Sequence, residues 1–330
     1  MLASHIFNGY IGSHLCYHLS REGILDLFKD KDTLNKSEIN DANFSGTRLE
    51  NVRLIIDYAV KFGMFHEDDE QYRLTELGSD IHKNIGFFTW AVGGYGNFLR
   101  NFTDISKEKE MTMSSMIDGA NVALGSRQAN KQFMWDIIIE ELSSLQTRSF
   151  ADLGCGAAGA LIDICRKFDG VTGTGIDIST KAIDSARINI EKNNLKGRIE
   201  VVNQNVLDAI DSPYLIDKFS RVDTVLSFMM MHDLFNIKDP VEILKKLQST
   251  FPNAKTFIIA DTFLSEEKSL KIDTPIFTYG FEYVHHFMKI KIFHKEQYLR
   301  FFSAAGFSVE RVTYLNVPNT YLFVLHRDFA

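Results

Sequence analysis

From residue 147 onward, short apolar runs alternate with amphipathic segments, and this alternation limits the folds open to the chain. "RSFADLG", "GVTGTGIDI", "RIEVVNQNV", "VDTVLSFMMM" and "KTFIIADTF" are separated by stretches such as "ISTKAIDSARINIEKNN" and "DPVEILKKLQST". Short runs rich in Val, Ile, Phe and Thr read as strands, and the stretches between them have helical spacing. A strand that returns parallel to its predecessor needs a crossover, and a helix supplies one, so the pattern implies a parallel sheet covered by helices on both faces. The end of the chain departs from this rule. "GFSVERVTYLN" and "TYLFVLHRD" are joined by a short turn led by Val-Pro, the three residues "VPN", which is too short for a crossover and forces an antiparallel hairpin. The expected fold class is α/β, a Rossmann-like sheet of seven strands with a terminal antiparallel hairpin.

The first part of the chain has a different period. "IGSHLCYHLSREGILDLF" and "TRLENVRLIIDYAVKFGMF" carry apolar residues at helical spacing, and "HEDDEQYRLTELGSDI" reads as a charged turn followed by a short extended segment. Two helices followed by a two-stranded wing outline a winged helix over residues 1–85. DNA binding would need a basic surface. Residues 1–85 instead hold nine lysines and arginines against fourteen aspartates and glutamates, and the wing itself reads "HEDDE". A DNA-binding regulator is therefore disfavoured, and a helical dimerisation module is expected. Residues 86–146, with "GFFTWAVGGYGNFLRNF", mix aromatics and glycines as a helical connector and active-site cover would.

The first strand of the second part runs into "DLGCGAAGA", in which Gly154, Gly156 and Gly159 satisfy G-x-G-x-x-G. Such glycines allow a tight strand-to-helix turn and a close backbone approach to a ligand. Asp177 closes the second strand in "GTGIDIS", where a carboxylate can accept from ribose hydroxyls. A nicotinamide dinucleotide fits these features as well. Asp152, two residues before the first glycine, separates the readings: a carboxylate opposes a pyrophosphate and suits an ammonium group.

With "DLGCGAAG", "GIDIS", "NQNVLD" and the terminal hairpin together, residues 147–330 resemble the class I S-adenosylmethionine-dependent methyltransferases. The N-terminal half resembles the winged-helix dimerisation module of small-molecule members of that family. The resemblance implies that Gly154 and Gly156 lie beneath the methionine part of the cofactor and that Asp152 orients its ammonium. It assigns Asp177 to the ribose hydroxyls, Ile178 to the adenine face, Asn205 and Val206 to the adenine edge, and Phe228 to the same cofactor site. Relatives often carry Asp where this chain has Asn205. A homodimer is also implied. An enzyme of this fold that uses S-adenosylmethionine without transferring its methyl is the alternative within the same class.

"SFMMMHDLF" ends the fourth strand on a histidine and an aspartate, on the side of the sheet where ligands bind. Three readings follow. His232 can be a general base that deprotonates the methyl acceptor, with Asp233 beside it; related O-methyltransferases carry His-Asp at this strand end, usually followed by Trp where this chain has Leu234. His232, Asp233 and His285 (or His286) of "FEYVHHFMKI" can instead ligate a divalent metal such as iron, in a site that resembles metal-containing α-keto acid C-methyltransferases. Alternatively, Asp233 caps the next helix and His232 is a turn residue. Arg127 could clamp a substrate carboxylate, and Trp90, Tyr95 and Phe133 could line an apolar pocket.

Composition closes off other classes. A net charge of −7 opposes nucleic-acid binding, and three cysteines without metal-ligand spacing suit a reducing compartment. The N-terminus has no basic n-region, and no apolar run approaches membrane-spanning length. The sequence reads as a cytoplasmic enzyme that methylates a small metabolite on oxygen or carbon.

Overall fold

The computed structural model describes residues 2–28, 31–105, 113–145, 147–210, 212, 215, 218–271 and 274–327. Contacts divide the chain into two units: residues 1–132 with 271–274, and residues 133–270 with 275–330.

In the first unit, the helix Ala3–Arg21 runs into the helical turn Leu25–Phe28 and strand β1 (Thr33–Asn35). The helix Thr47–Lys61 follows, then β2 (Phe65–Glu67) and β3 (Gln71–Leu74). The expected two-stranded wing is three-stranded, because β1 pairs antiparallel with β3 on the side away from β2. Asp68 shapes the charged turn: its Oδ1 accepts from the backbone N–H groups of Glu70 and Gln71, the local bonding that makes Asp a turn former. Thr75 then caps the helix Glu76–Lys83 by accepting from Gly78 N–H.

Residues 85–105 are more regular than their composition suggests. They form the helix Ile85–Phe88, a π-helical stretch Thr89–Gly94 and the helix Gly96–Ile105. Their glycines serve close packing. A Cβ on Gly86 would stand 2.6 Å from Gly125 O and Ala129 N, and one on Gly125 would stand 2.6 Å from Gly86 O and Trp90 N. Helix backbones approach this closely only where no side chain intervenes.

The second unit holds the mostly parallel sheet, in the order β6-β5-β4-β7-β8-β10-β9. These strands are β4 (Ser149–Leu153), β5 (Thr172–Asp177), β6 (Ile199–Asn203), β7 (Thr224–Phe228), β8 (Thr256–Thr262), β9 (Phe307–Tyr314) and β10 (Thr320–Arg327). Only β10 runs antiparallel to its neighbours β8 and β9. The loop that joins β9 to β10 spans residues 315–319, longer than the sequence suggested. Every residue of β8 is buried, as expected of a strand covered on both faces. One face packs Leu153, Val225, Ile259 and Phe323 against the helices Met231–Ile237, Pro240–Thr250 and Lys295–Ala304. The other packs Phe150, Leu226 and Ile258 against the helices Trp135–Leu145, Gly159–Lys167 and Thr180–Lys192. The strand order reverses between β4 and β7, and in open α/β sheets ligands bind beyond the strand ends at such a switch point.

Candidate active site

The turn after β4 is held open by its glycines and tied to β5. Gly154 has φ +80°, and its N–H donates to Ile176 O at 2.8 Å. A Cβ at Gly154 would lie 2.8 Å from Met230 Sδ, which a flexible methionine can yield, so it is the conformation that requires glycine here. Gly156 N–H donates to Asp177 Oδ2 at 2.9 Å, and Ser179 N–H donates to Oδ1 at 2.8 Å. Each Asp177 oxygen keeps a further lone pair.

Asp152 is buried, with no hydrogen-bond donor to its carboxylate among the described residues. Burial, then the nearby charge of Asp177, pushes its carboxyl up to about 7. Such a group gains from a cation placed against it. Ile178, directly after Asp177, is 68% exposed and offers an apolar surface beside the carboxylate. Asn205 caps the short helix Val206–Ala209 through Oδ1, which accepts from Leu207 N–H at 2.9 Å. Val206 is buried, and Phe228, half-buried, ends β7. An unneutralised buried carboxylate, free lone pairs on Asp177 and an exposed apolar side chain suit the ammonium, the ribose and the adenine of S-adenosylmethionine. The residues fit that group.

At the neighbouring strand end, β7 stops at Phe228 because Met229 takes φ +55°, a left-handed conformation that breaks strand geometry. The helix Met231–Ile237 starts at once. Its first N–H groups have no partner within the helix, and the His232 N–H is taken by Asp261 Oδ2 at 2.9 Å, from the end of β8. The same carboxylate holds the histidine side chain, with His232 Nδ1 2.7 Å from Asp261 Oδ1. Thr262 N–H donates to Oδ1 at 3.0 Å and Tyr298 O–H donates to Oδ2 at 2.7 Å. Asp261 is wholly buried and His232 is 3% exposed. Burial works against a charged His232, but the adjacent Asp261, aided by Asp233, outweighs it and raises the imidazole above its ordinary value.

Because Asp261 occupies Nδ1, Nε2 is the nitrogen left for chemistry. Its nearest carboxylate oxygen is Asp233 Oδ1, at 3.7 Å. The helix Thr278–Phe287 stands over this nitrogen's surroundings. His285 packs edge-on against His232 with ring centroids 4.9 Å apart, and Phe281 does the same at 5.2 Å. His285 Nδ1 donates to Phe281 O at 2.7 Å. Burial, then the charge of His232, lowers His285 to about 3, so it is a neutral imidazole. Asn236 binds His232 O and Lys291 O through its amide N–H groups and accepts from Lys291 N–H, which fixes the segment after this helix to the His232 helix.

The structure thus sorts the residues singled out in the sequence. His232, Asp233 and His285 come together, while His286 is exposed. The carboxylate that holds His232 is Asp261, not its neighbour Asp233. Asp233 lies in the first turn of the helix and caps nothing; the capping position belongs to Met230, without a side-chain bond. The metal arrangement is not supported: among the described residues, no group of three or more His, Cys, Asp or Glu side chains is placed to hold an ion. Trp90 and Tyr95 are both buried in the first unit with ring centroids 4.6 Å apart, and Arg127 is exposed there. Phe133 lies half-buried against the core of the second unit. Sequence reading missed Asp261 and Tyr298. The first carried a signal, an aspartate closing the otherwise apolar run "TFIIAD"; the second carried none.

Comparisons with known proteins bear on the domain and its fold. The profile of a methyltransferase-domain family matches residues 147–306. The chain is 25% identical over 321 residues to an indolepyruvate C-methyltransferase of Streptomyces griseus, covering 97% of this chain and 93% of that one. Human N-acetylserotonin methyltransferase, solved in complex with S-adenosylmethionine, shares the fold at a TM-score of 0.64 and 15% identity, covering 99% of this chain and 96% of its own. An O-methyltransferase family protein from Burkholderia thailandensis does so at 0.63 and 15%, covering 98% and 96%. Residues 147–306 carry a methyltransferase domain, and together with the relative matched along nearly the whole chain it supports an S-adenosylmethionine-dependent methyltransferase.

Proposed function

We propose that the chain methylates an aryl-substituted α-keto acid on the carbon next to the ketone, with His232 as general base. The observation that supports this reading is the His232–Asp261 pair at 2.7 Å, which commits Nδ1 and leaves Nε2 for an acceptor. S-adenosylmethionine supplies an electrophilic methyl group. The chain has to remove the acceptor's proton, align the acceptor and exclude water. Asp261 stabilises the imidazolium that forms when His232 takes that proton, and the rings of Phe281 and His285 shield it. The curated relative that matches nearly the whole chain is named for indolepyruvate, whose α-carbon proton is of the kind such a base removes. For the cofactor, Asp152 meets the ammonium, Gly154 and Gly156 underlie the methionine part, and Asp177 takes the ribose hydroxyls. Ile178, Val206, Asn205 and Phe228 surround the adenine.

The test is incubation with S-adenosylmethionine and, separately, indole-3-pyruvate, phenylpyruvate and a panel of hydroxylated aromatics, with products read by mass and by carbon NMR. A new C–CH3 group on a keto acid, lost in His232→Ala, is expected. Methylation of hydroxyls alone would overturn the carbon assignment. Metal analysis of the same two proteins guards the base assignment: a stoichiometric divalent ion that disappears with His232 would overturn it.

The first unit supports a homodimer of the winged-helix type. Every residue from Ala3 to Ile11 is exposed, including Ile6, Phe7, Tyr10 and Ile11, and Leu54 and Tyr58 of the helix Thr47–Lys61 are exposed as well. Contiguous exposed apolar side chains of this size mark interaction surfaces. Light scattering should give the mass of a dimer and, for Phe7→Glu with Tyr10→Glu, that of a monomer. No helix among the described residues is long and apolar enough to cross a membrane, and a cytoplasmic location is consistent with three free cysteines.

A further inference from the structure

The aromatic cluster beneath the His232 helix is built mainly of phenylalanine, and Tyr298 lies within it at 1% exposure. Its ring centroid is 4.8 Å from that of Phe263, 5.0 Å from Phe235 and 5.8 Å from Phe302. Phenylalanine would fill this place as well, and a buried hydroxyl is costly unless it is bonded. Among the described residues the Tyr298 hydroxyl makes one hydrogen bond: it donates to Asp261 Oδ2 at 2.7 Å. Burial, then the charge of Asp261, pushes the phenol well above its ordinary value, so it stays a donor. Three of the four donors on Asp261 are nearby in the chain or belong to His232 itself: Thr262 N–H, His232 N–H and His232 Nδ1. Tyr298 brings the remaining donor, from a separate helix (Lys295–Ala304).

We propose that Tyr298 is a positioning residue for methyl transfer, fixing through Asp261 the orientation and tautomer of the His232 ring. The proposal rests on the reading of His232 as the base. The Tyr298 hydroxyl is spent on Asp261, so it acts through that carboxylate. It holds Oδ2 in the plane that lets Oδ1 meet Nδ1, so the Nδ1–H tautomer persists and Nε2 keeps its lone pair. A purely packing role predicts a different result, because Tyr298→Phe keeps every ring contact and removes only the donor.

The experiment compares wild type, Tyr298→Phe and Tyr298→4-aminophenylalanine, which retains a weaker donor. Each is labelled with 15N-histidine, and the His232 signal is assigned by its loss in His232→Gln. In wild type at one fixed pH, the Nδ1–H proton should resonate far downfield and exchange slowly with solvent. In Tyr298→Phe it should move upfield and exchange at least about tenfold faster, since a tenfold change corresponds to about 1.4 kcal/mol, just below the about 1.5–3 kcal/mol that a hydrogen bond to a charged group contributes. The 4-aminophenylalanine variant should fall between the two. With indole-3-pyruvate as acceptor, kcat should drop about tenfold while KM stays within about twofold. An unchanged Nδ1–H signal in Tyr298→Phe overturns the proposal, whatever happens to kcat. A changed signal at unchanged kcat also overturns it. Should Tyr298→Phe fail to fold, exchange in the 4-aminophenylalanine variant at the wild-type rate does the same. The base reading fails separately, if His232→Gln remains fully active, and the Tyr298 role in catalysis then falls with it.

Discussion

Replacing Asp261 by asparagine should damage stability and activity together, and the geometry gives the size of each effect. The carboxylate accepts four hydrogen bonds, two on each oxygen, and each oxygen takes one backbone N–H: Thr262 on Oδ1 and His232 on Oδ2. An amide has one oxygen. Whichever way it is placed, its NH2 group faces a backbone N–H that cannot turn away. One buried donor is left unpaired, at about 1–3 kcal/mol, and the remaining bonds lose their charge assistance, at about 1.5–3 kcal/mol. The expected loss is about 3–5 kcal/mol, in the range measured when one partner of a buried pair is removed. In the orientation that sets NH2 against His232 Nδ1, the ring must carry its proton on Nε2 and cannot act as a base. Activity should therefore fall about a hundredfold or more. S-adenosylhomocysteine affinity should hold within about threefold, because Asp261 contacts no part of the glycine turn among its hydrogen bonds. Urea unfolding, methyl transfer and calorimetry measure the three quantities. A midpoint within about 1 kcal/mol of wild type, with activity within about tenfold, would refute the reasoning.

Three further outcomes follow from the charges in the second unit. Asp152 binds a proton more tightly folded, with its carboxyl near 7, than unfolded, with the ordinary value of 3.8, so its cost to stability grows as pH rises through about 7. Asp152→Asn should unfold no earlier than wild type in urea at pH 8 yet bind S-adenosylhomocysteine at least about tenfold more weakly; wild-type affinity would remove Asp152 from the cofactor site. His285 has the opposite linkage. Its folded value is depressed from 6.5 to about 3, so the unfolded chain binds the extra proton between those values and stability falls as pH falls through that window. His285→Leu should flatten the pH dependence of unfolding between about 6.5 and 3, and an unchanged slope would contradict the assignment. Arg311 forms a two-oxygen pair with the buried Glu141 of the helix Trp135–Leu145. Arg311→Met should cost about 1–3 kcal/mol, since Glu141 is buried but Arg311 is half exposed, and adding Glu141→Leu should recover most of it; additive losses in a thermal-denaturation cycle would sink this reading.

How much of this site could be read from the residues depends on what each one needs from its neighbours. The sheet was legible because a strand buried on both faces writes its burial into consecutive apolar residues, as "TFIIADT" does. Its ends were less so: "FMMM" reads as continuous strand, and nothing in a methionine announces the φ of +55° that stops β7 before Met229. Gly86 lies in a stretch whose glycines suggested a connector, because glycine marks flexible turns and close helix packing alike; only the opposing backbone, 2.6 Å from where a Cβ would stand, tells them apart. Asp177 could be singled out because the backbone groups it binds lie in the two recognisable motifs, Gly156 in the glycine turn and Ser179 beside Asp177 itself. Asp261 was passed over in favour of Asp233 because adjacency along the chain was taken for adjacency in space. In a helix, a residue and its immediate successor point in different directions, so Asp233 was poorly placed to hold His232 Nδ1. The parallel pairing of β7 with β8 sets Phe228 beside Ala260, so the residue after Ala260 must lie at the mouth from which the His232 helix departs. It is this register, seen only in the folded sheet, that makes Asp261 the partner of His232. Tyr298 required more: its helix returns to the sheet 37 residues after Asp261, and neither period nor motif records where such a helix packs.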